Sequence, residues 1–331
     1  MCQLPIFPFI SHNEWDVFFD SSNSYIPYRN ENRSLSVIAD KSYYISHCHF
    51  IELNETGAVR ITDETDNSLK FLIETSTFDK CAHKTDEGGS LYVKTTKGEC
   101  IQDRICSIGS STPRIGVYCY VMISQTSPFR NYILESTVTR SFDEKNDGRE
   151  NIWIQNGEII MKSLNFSNSH LWEYANYYIR CSSNSNTTFS TFSNNTSNSE
   201  YLSGIVDESD SLEIKTLSCN YLGNEGGGFF VGDGITYFIN CSFYKNIIGQ
   251  GYYYFAGSSI QIIGCYIDIS DPDTEGEVII TEKVNSIYPQ NGRLPSYQCF
   301  AEPYHETEEN EADYKQKFNS NFIICIVSLL P

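Results

Sequence analysis

The stretch Tyr237-Phe238-Ile239-Asn240-Cys241-Ser242-Phe243 decides the fold, because apolar residues alternate along it and it ends in a small residue, any residue and a large apolar residue. Strict alternation predicts that Tyr237, Ile239, Cys241 and Phe243 share one face of a strand. The closing triplet recurs along the chain. Its copies are Cys48-His49-Phe50, Ser76-Thr77-Phe78, Cys106-Ser107-Ile108, Ser136-Thr137-Val138, Leu164-Asn165-Phe166, Ser190-Thr191-Phe192, Cys219-Asn220-Tyr221, Cys241-Ser242-Phe243 and Cys265-Tyr266-Ile267.

The large residues that close these triplets stand 28, 30, 30, 28, 26, 29, 22 and 24 residues apart. An interval of this length fits one three-strand coil of a solenoid, in which each coil buries its apolar face against its neighbours. The many aromatic residues, 23 Tyr and 20 Phe, also favour strands. The sequence therefore predicts an all-β fold, a parallel β-helix of roughly nine coils.

A second phrase follows some of the triplets. Asp86-Glu87-Gly88-Gly89-Ser90-Leu91-Tyr92-Val93 and Asn224-Glu225-Gly226-Gly227-Gly228-Phe229-Phe230-Val231 read as two copies of it, and Thr56-Gly57-Ala58-Val59 as a weaker one. Paired glycines permit the positive φ angles of a tight corner. Each phrase therefore predicts a corner followed by a new strand.

Together these motifs resemble a known class of repeats. Phe192-Ser193-Asn194-Asn195 and Phe243-Tyr244-Lys245-Asn246 match F-x-x-N, while Gly88–Leu91, Gly227–Phe230 and Gly57–Val59 approximate G-G-A-[ILV]. This pairing resembles the polymorphic outer-membrane protein repeats and the surface β-helix families of parasitic protists, over about residues 40–285. The resemblance implies a right-handed, pectin lyase-like parallel β-helix that is often displayed at a cell surface by a terminal anchor.

The chain divides into three predicted parts: an N-terminal capping segment (1–40), the β-helix domain (41–288) and an acidic tail ending in a short apolar segment (289–331). Ser11-His12-Asn13-Glu14 has the form of a capping box, which predicts a short helix covering the N-terminal end. Met1–Ile10 lacks a basic region and is broken by prolines, so we expect no signal peptide. Phe322–Leu330 is too short to span a bilayer, so we expect membrane contact only if it is a truncated anchor.

The charge of the chain excludes some partners. Its formal net charge is −19, with 42 acidic and 23 basic residues. A field this negative repels phosphate backbones, so nucleic acid is not an expected partner. The 12 cysteines follow no disulfide-scaffold or zinc-ribbon spacing. Those in the small slot of the triplet are expected to point inward as a stack of buried thiols. They are Cys48, Cys106, Cys219, Cys241 and Cys265.

Two weak sites stand out. Tyr252, Tyr253, Tyr254 and Phe255 form the densest aromatic run, and any that point outward are expected to contact sugar rings or protein; the equal alternative is that they fill the core and a corner. Asp268, Asp271 and Asp273 crowd one loop with Glu275 and Glu277, which is a candidate cation loop although a solvated loop is the simpler interpretation. His47 and His49 read as ordinary exposed histidines, because a metal site needs a third ligand. No cofactor is expected.

No motif of a catalytic site appears. Asp233 lies between two glycines without the partner carboxylate that glycoside hydrolysis requires, and Arg180 and Arg293 are isolated candidates for a lyase base. The leading hypothesis is a non-enzymatic surface or adhesion-type module that binds a glycan or a protein through a solenoid face. A divergent carbohydrate-active enzyme and a truncated, non-functional family copy are the alternatives.

Overall fold

A computed structural model describes residues 14–20, 23–63, 65, 67–123, 129–141, 148–198, 201–207, 212–248, 254–268 and 273–288. Nearly every element is a strand, and every named strand pair is parallel. The strands stack in register, turn upon turn, so the chain is a parallel β-solenoid as the repeat predicts.

Each turn passes through two long faces, A and B, that belong to one 18-stranded sheet. Face A consists of β2 (Leu35–Ile38), β5 (Val59–Asp63), β8 (Leu91–Thr95), β11 (Cys119–Met122), β14 (Ile152–Gln155), β18 (Tyr177–Cys181) and β22 (Tyr201–Asp207). Face B consists of β1 (Tyr25–Arg29), β3 (Ser42–Ser46), β6 (Leu69–Glu74), β9 (Gly98–Asp103), β12 (Arg130–Leu134), β15 (Glu158–Lys162), β19 (Ser185–Thr188) and β23 (Glu213–Leu217). Three long strands then continue both faces: β26 (Gly228–Ile239), β29 (Tyr254–Ile263) and β31 (Asp273–Thr281).

Two shorter faces close the turn. Face C is a nine-stranded sheet of β4 (His49–Ile51), β7 (Thr77–Asp79), β10 (Cys106–Ile108), β13 (Thr137–Thr139), β16 (Asn165–Ser167), β20 (Thr191–Ser193), β24 (Asn220–Leu222), β27 (Ser242–Tyr244) and β30 (Tyr266–Ile267). Face D has β17 (His170–Leu171), β21 (Thr196–Ser197), β25 (Glu225–Gly226) and β28 (Ile247–Ile248).

The solenoid has about seven turns, so the prediction of roughly nine coils is wrong. Each predicted coil was counted from one triplet, and every triplet does contribute a strand to face C. Within the described residues, however, face D forms in four turns only, and faces A and B merge in β26. Triplets therefore outnumber complete turns.

The triplets hold face C between two tight corners. In eight turns a left-handed residue precedes the small slot and a second one follows the strand, always five positions later. The pairs are His47 and Glu52, Thr75 and Lys80, Arg104 and Gly109, Glu135 and Arg140, Ser163 and Asn168, Phe189 and Asn194, Ser218 and Gly223, and Asn240 and Lys245. Most of these residues carry side chains that disfavour positive φ, so stacking between turns stabilises the corners.

The small slot has a hydrogen-bonding role. The Ser76 hydroxyl accepts from the Cys48 backbone N–H at 3.1 Å, and the Cys265 thiol accepts from the Cys241 N–H at 3.2 Å. The large slot fills the core with stacked rings, such as Phe50 on Phe78 with centroids 5.1 Å apart. The small residue of the triplet therefore serves hydrogen bonding between turns, and the large residue fills the core.

One triplet is out of register. Ser107, not Ile108, pairs with Phe78 and Val138, so the prediction that Ile108 is the anchor and Cys106 an inward thiol is wrong. Cys106 is disulfide-bonded, whereas the other described cysteines are free. Tyr118, fully buried and 6.3 Å from the Phe78 ring, occupies the space that Ser107 leaves.

The alternation across Tyr237–Phe243 also changes phase. Phe238 is fully buried, while Tyr237 and Ile239 point outward and are half-buried. The left-handed Asn240 causes this, because it turns the chain between the outward Ile239 and the inward Cys241. The prediction that Tyr237 and Ile239 share one face with Cys241 and Phe243 is therefore wrong.

The short helix α1 (Glu14–Phe18) does not cap the end of the solenoid. Trp15, which is fully buried, packs with Phe19 on the outer side of face B against Tyr44, Leu72 and Ile101. These outward residues are apolar, so α1 gains more by covering them laterally than by covering the terminal turn. Ser11–Asn13 of the predicted capping box lie outside the described residues.

The strands begin earlier than the predicted domain boundary at residue 41, since β1 and β2 already pair with β3 and β5.

A ladder of asparagines lies inside the corner after face C. Asn224 Nδ2 donates to the Phe192 carbonyl at 2.9 Å, and Asn224 Oδ1 accepts from the Asn195 N–H at 3.0 Å. Asn195 of the first F-x-x-N copy and Asn224, at the same position after Tyr221, are therefore buried structural groups, and Asn246 of the second copy is half-buried.

Candidate binding face

Four aromatic residues stack along the outer side of face A. Tyr92, Tyr120, Trp153 and Tyr178 pair in register on successive strands, and we call them the aromatic ladder. Their ring centroids are 5.1, 6.1 and 4.6 Å apart, and their interplanar angles are 9°, 9° and 23°. Stacked pairs of this kind contribute about 0.5–1.5 kcal/mol each beyond area burial, so the ladder is a rigid element.

Charged and aromatic groups cover both ends of the ladder. The Arg60 guanidinium lies 3.9 Å from the centroid of Tyr92 and forms an ion pair with Asp86. At the other end Tyr174 packs on Tyr178 with centroids 4.8 Å apart and an angle of 56°. Ring faces are therefore used within the ladder. Tyr92 is buried and the other three rings are half-buried, so the outside of the protein meets ring edges only.

The corner that precedes face A sets the direction of the ladder side chains. Gly88 has a φ of +72°, and a Cβ on Gly89 would lie 2.2 Å from the Val117 carbonyl oxygen. After this corner Leu91 points inward and Tyr92 outward. In the second copy of the glycine phrase Phe230 occupies the register of Leu91, so the two copies enter face A one residue apart.

A second outward row runs parallel to the ladder. It consists of Lys94, Met122, Gln155 and Arg180, which pair in register. The Tyr120 hydroxyl lies 3.7 Å from the Met122 sulfur, which links the two rows. Lys94 and Arg180 are exposed. Face A thus presents aromatic edges beside exposed cationic side chains.

Two adjacent carboxyl groups border the N-terminal end of the ladder. The hydrogen bond between the side chains of Glu87 and Asp86 lowers the pKa of Asp86 and raises the pKa of Glu87. The Asp86 N–H also donates to His83 Nδ1 at 2.9 Å. Glycosidases separate their two carboxyl groups by about 5–5.5 Å or 6.5–9.5 Å, so a directly hydrogen-bonded pair fits neither geometry.

The sites predicted from sequence are placed as follows. Tyr252 and Tyr253 lie outside the described residues, and of Tyr254 and Phe255 only the backbone, at the start of β29, is described. In the candidate cation loop Asp268 is exposed and accepts a hydrogen bond from the Lys245 N–H at 2.5 Å. Asp271 lies outside the described residues, and Asp273 begins β31.

The remaining candidates do not converge. His47 and His49 are exposed, and no group of three potential metal ligands occurs within the described ranges. Asp233 is exposed at the bulge of β26, while Arg180 lies on face A; Arg293 is outside the described residues. Cys219, Cys241 and Cys265 are buried free thiols, as their stack predicts. Burial and, after it, the neighbouring Cys219 thiol raise the pKa of Cys241.

Sequence reasoning missed the aromatic ladder. Its members recur 28, 33 and 25 residues apart, each directly after an inward residue of face A. That signal is present in the sequence, but loops of unequal length precede these strands and hide it. The sequence therefore points to the dense aromatic run 252–255 and not to the single aromatic residues that recur once per turn.

In the part of the chain that the structure describes, no helix is both long enough and apolar enough to cross a bilayer. No protein-family model, curated protein or solved structure matches this chain, so the β-solenoid itself and the geometry of face A are what bear on function.

Proposed function

We propose that this chain is a non-enzymatic, adhesion-type module that binds another protein through face A. The observation that carries the proposal is the aromatic ladder, which is preorganised on five turns counting Arg60. Two further parts of the proposal rest on the repeat motifs: display at a cell surface, and a right-handed, pectin lyase-like form of the solenoid.

The residue types on face A favour a protein partner. Tyrosine, tryptophan and arginine dominate the binding energy of protein interfaces, and methionine is enriched there. Here Tyr92, Tyr120 and Trp153 stand beside Arg60 and Met122 in a fixed arrangement. Rigid aromatic side chains lose little conformational entropy on binding, so a preformed ladder favours affinity.

The same geometry disfavours the glycan alternative. Sugar rings dock on the open faces of aromatic side chains, whereas each face in the ladder meets another ring, the Arg60 guanidinium or Tyr174. The carboxyl pair Asp86 and Glu87 likewise gives no support to glycoside hydrolysis, because the two groups are hydrogen-bonded to each other.

The test is a binding screen with matched variants. The purified chain is immobilised and presented with a panel of extracellular proteins and with a glycan array. Replacing both Tyr120 and Trp153 by alanine is expected to weaken protein binding by about tenfold or more, because it removes two central contacts. The Tyr266→Ala variant removes a half-buried tyrosine from face C and is expected to bind like the wild type.

Thermal unfolding of each variant separates lost binding from lost structure. Two results contradict the proposal: ligands found on the glycan array alone, or protein binding that the ladder variant leaves unchanged.

A further inference from the structure

Face B carries two outward rows that run the length of the solenoid. The first row is Tyr44, Leu72, Ile101, Tyr132, Ile160, Asn186, Lys215, Tyr237, Gln261 and Ile279. The second is Ser46, Glu74, Asp103, Leu134, Lys162, Thr188, Leu217, Ile239, Ile263 and Thr281. The first row is apolar from Tyr44 to Ile160, while the second row begins with Ser46, Glu74 and Asp103 and has one apolar residue, Leu134, in this region. The second row is apolar again from Leu217 to Ile263, with Tyr237 and Ile279 of the first row beside it, and Asn186, Lys162 and Thr188 separate the two regions.

The helix α1 covers the first apolar region. Trp15 packs on Tyr44, Leu72 and Ile101, and Arg130 of β12 donates to the Phe18 carbonyl at 2.6 Å. A glutamate at the start of α1, Glu14, pairs with Arg104 at 3.0 Å. A short helix with an aromatic side and an acidic end is therefore sufficient to cover four turns of this face.

The second apolar region, which we call the uncovered patch, consists of Leu217, Tyr237, Ile239, Ile263 and Ile279. The first four are half-buried, and Ile279 is 43% exposed. Within the described residues α1 is the only helix, and its contacts with face B end at β12. The patch belongs to the same two rows as the seat of α1, so it continues an interface that the chain already uses.

The size of the uncovered patch limits the kind of partner that can bind there. It spans four strands, or roughly 15 Å along the axis at about 4.8 Å per strand, and two rows across. This is far less than the roughly 800 Å² per partner that a stable dimer buries, which disfavours a second copy of the chain. A helix of about three turns has the same length.

Charge also restricts the occupant. The patch and its two rows from β23 to β31 contain no acidic side chain, and Lys215 lies beside Tyr237 with its ammonium 5.8 Å from the ring centroid. Its partner Glu213 is 2.7 Å away, and both side chains are nearly half exposed, so a carboxylate of a bound helix can reach the same ammonium. We propose that the uncovered patch binds a short amphipathic helix of a partner protein, with aromatic or aliphatic residues toward the patch and an acidic residue toward Lys215.

This proposal is independent of the function proposed for face A. The probe is a synthetic, fluorescein-labelled peptide with the sequence of residues 11–24, which contains Glu14, Trp15 and Phe18. In the intact protein α1 already occupies its own seat, so added peptide reports on the uncovered patch. Fluorescence anisotropy is expected to show saturable binding that Ile239→Glu and the milder Ile263→Gln weaken about tenfold.

The matched control is Ile51→Glu, which places the same charge on an exposed isoleucine of face C and is expected to leave peptide binding unchanged. Near-ultraviolet circular dichroism confirms that each variant is folded. No saturable binding overturns the proposal, and so does binding that is insensitive to both patch variants, since the peptide then occupies another surface. Sedimentation that shows a wild-type dimer and an Ile239→Glu monomer also overturns it, because the occupant is then a second copy.

Discussion

The Arg60 guanidinium lies over the Tyr92 ring, 3.9 Å from its centroid, and thereby closes the N-terminal end of the aromatic ladder. The same side chain donates to the Glu87 carbonyl at 3.1 Å and pairs with Asp86. Arg60 therefore joins the stacked rings to the carboxyl pair at the border of face A.

We expect Arg60→Ala to lower the free energy of unfolding by about 1–2 kcal/mol, because it removes a cation–π contact and a partly exposed ion pair. Arg60→Lys keeps the charge but not the planar stack, so we expect it to recover only part of the loss. Urea denaturation measures both. Equal stability of the lysine variant and the wild type would show that charge alone matters at this position.

A second prediction concerns pH and Asp103, which lies beneath α1 beside Arg104. Burial raises the pKa of Asp103 to about 6. Because its folded pKa lies above its unfolded value, Asp103 contributes stability that is fully present at low pH and lost as pH rises through about 6. Relative to Asp103→Asn, the wild type should therefore lose free energy of unfolding between about pH 4 and 6, and urea titrations across this range measure the difference. A difference that does not change with pH would contradict the assignment.

The asparagine ladder gives a third prediction. Asn224→Ala removes two hydrogen bonds inside the core. The Asn195 N–H loses its acceptor, and the Phe192 carbonyl loses its donor. We expect it to lower the free energy of unfolding by about 2–3 kcal/mol, since buried unsatisfied groups cost about 1–3 kcal/mol each. Asn198→Ala, at an exposed position, should change it by less than about 0.5 kcal/mol in the same denaturation experiment.

The left-handed corners give a fourth. Thr75 has a φ of +44°, where a β-branched side chain is strained, whereas Asn168 occupies the second corner with a φ of +55°. Thr75→Asn should raise the free energy of unfolding by about 0.5–1 kcal/mol, and Asn168→Thr should lower it by a similar amount. Thermal unfolding checks both signs. A loss of stability in Thr75→Asn would show that the threonine hydroxyl, 3.3 Å from Glu74, outweighs the strain.

The sequence predicts the parallel solenoid because the triplet has a physical origin that recurs in every turn. The prediction fails where one turn exchanges the roles of its slots: at Ile105 and Ser107 the large residue comes first, and Tyr118 fills the core. It also fails at Asn240, since a left-handed residue changes the phase of the alternation. Neither event has a local signature, because the corners accept glutamate, arginine and lysine as well as glycine.

The candidate site was harder to predict than the fold. In the sequence an outward strand residue looks like any surface residue, and the unequal loops hide the spacing. That Trp153 lies between Tyr120 and Tyr178 therefore becomes evident only once the turns are stacked. The lateral position of α1 is similarly a tertiary effect, since Trp15 follows the apolar rows of face B rather than the end of the solenoid.

The constant separation of the two corners around face C has a further consequence. Five positions always separate them, whereas the connection from face C to face A ranges from Gly223–Gly227 after β24 to Arg140–Asn151 after β13. The connection from face A to face B also varies, from Asn156–Gly157 after β14 to Ile123–Phe129 after β11. Face C therefore keeps a constant length in these turns, and differences in chain length between turns fall in the connections that flank face A. Insertions and deletions beside face A, next to the aromatic ladder, can therefore change the rim of this face while the strands of face C keep their register.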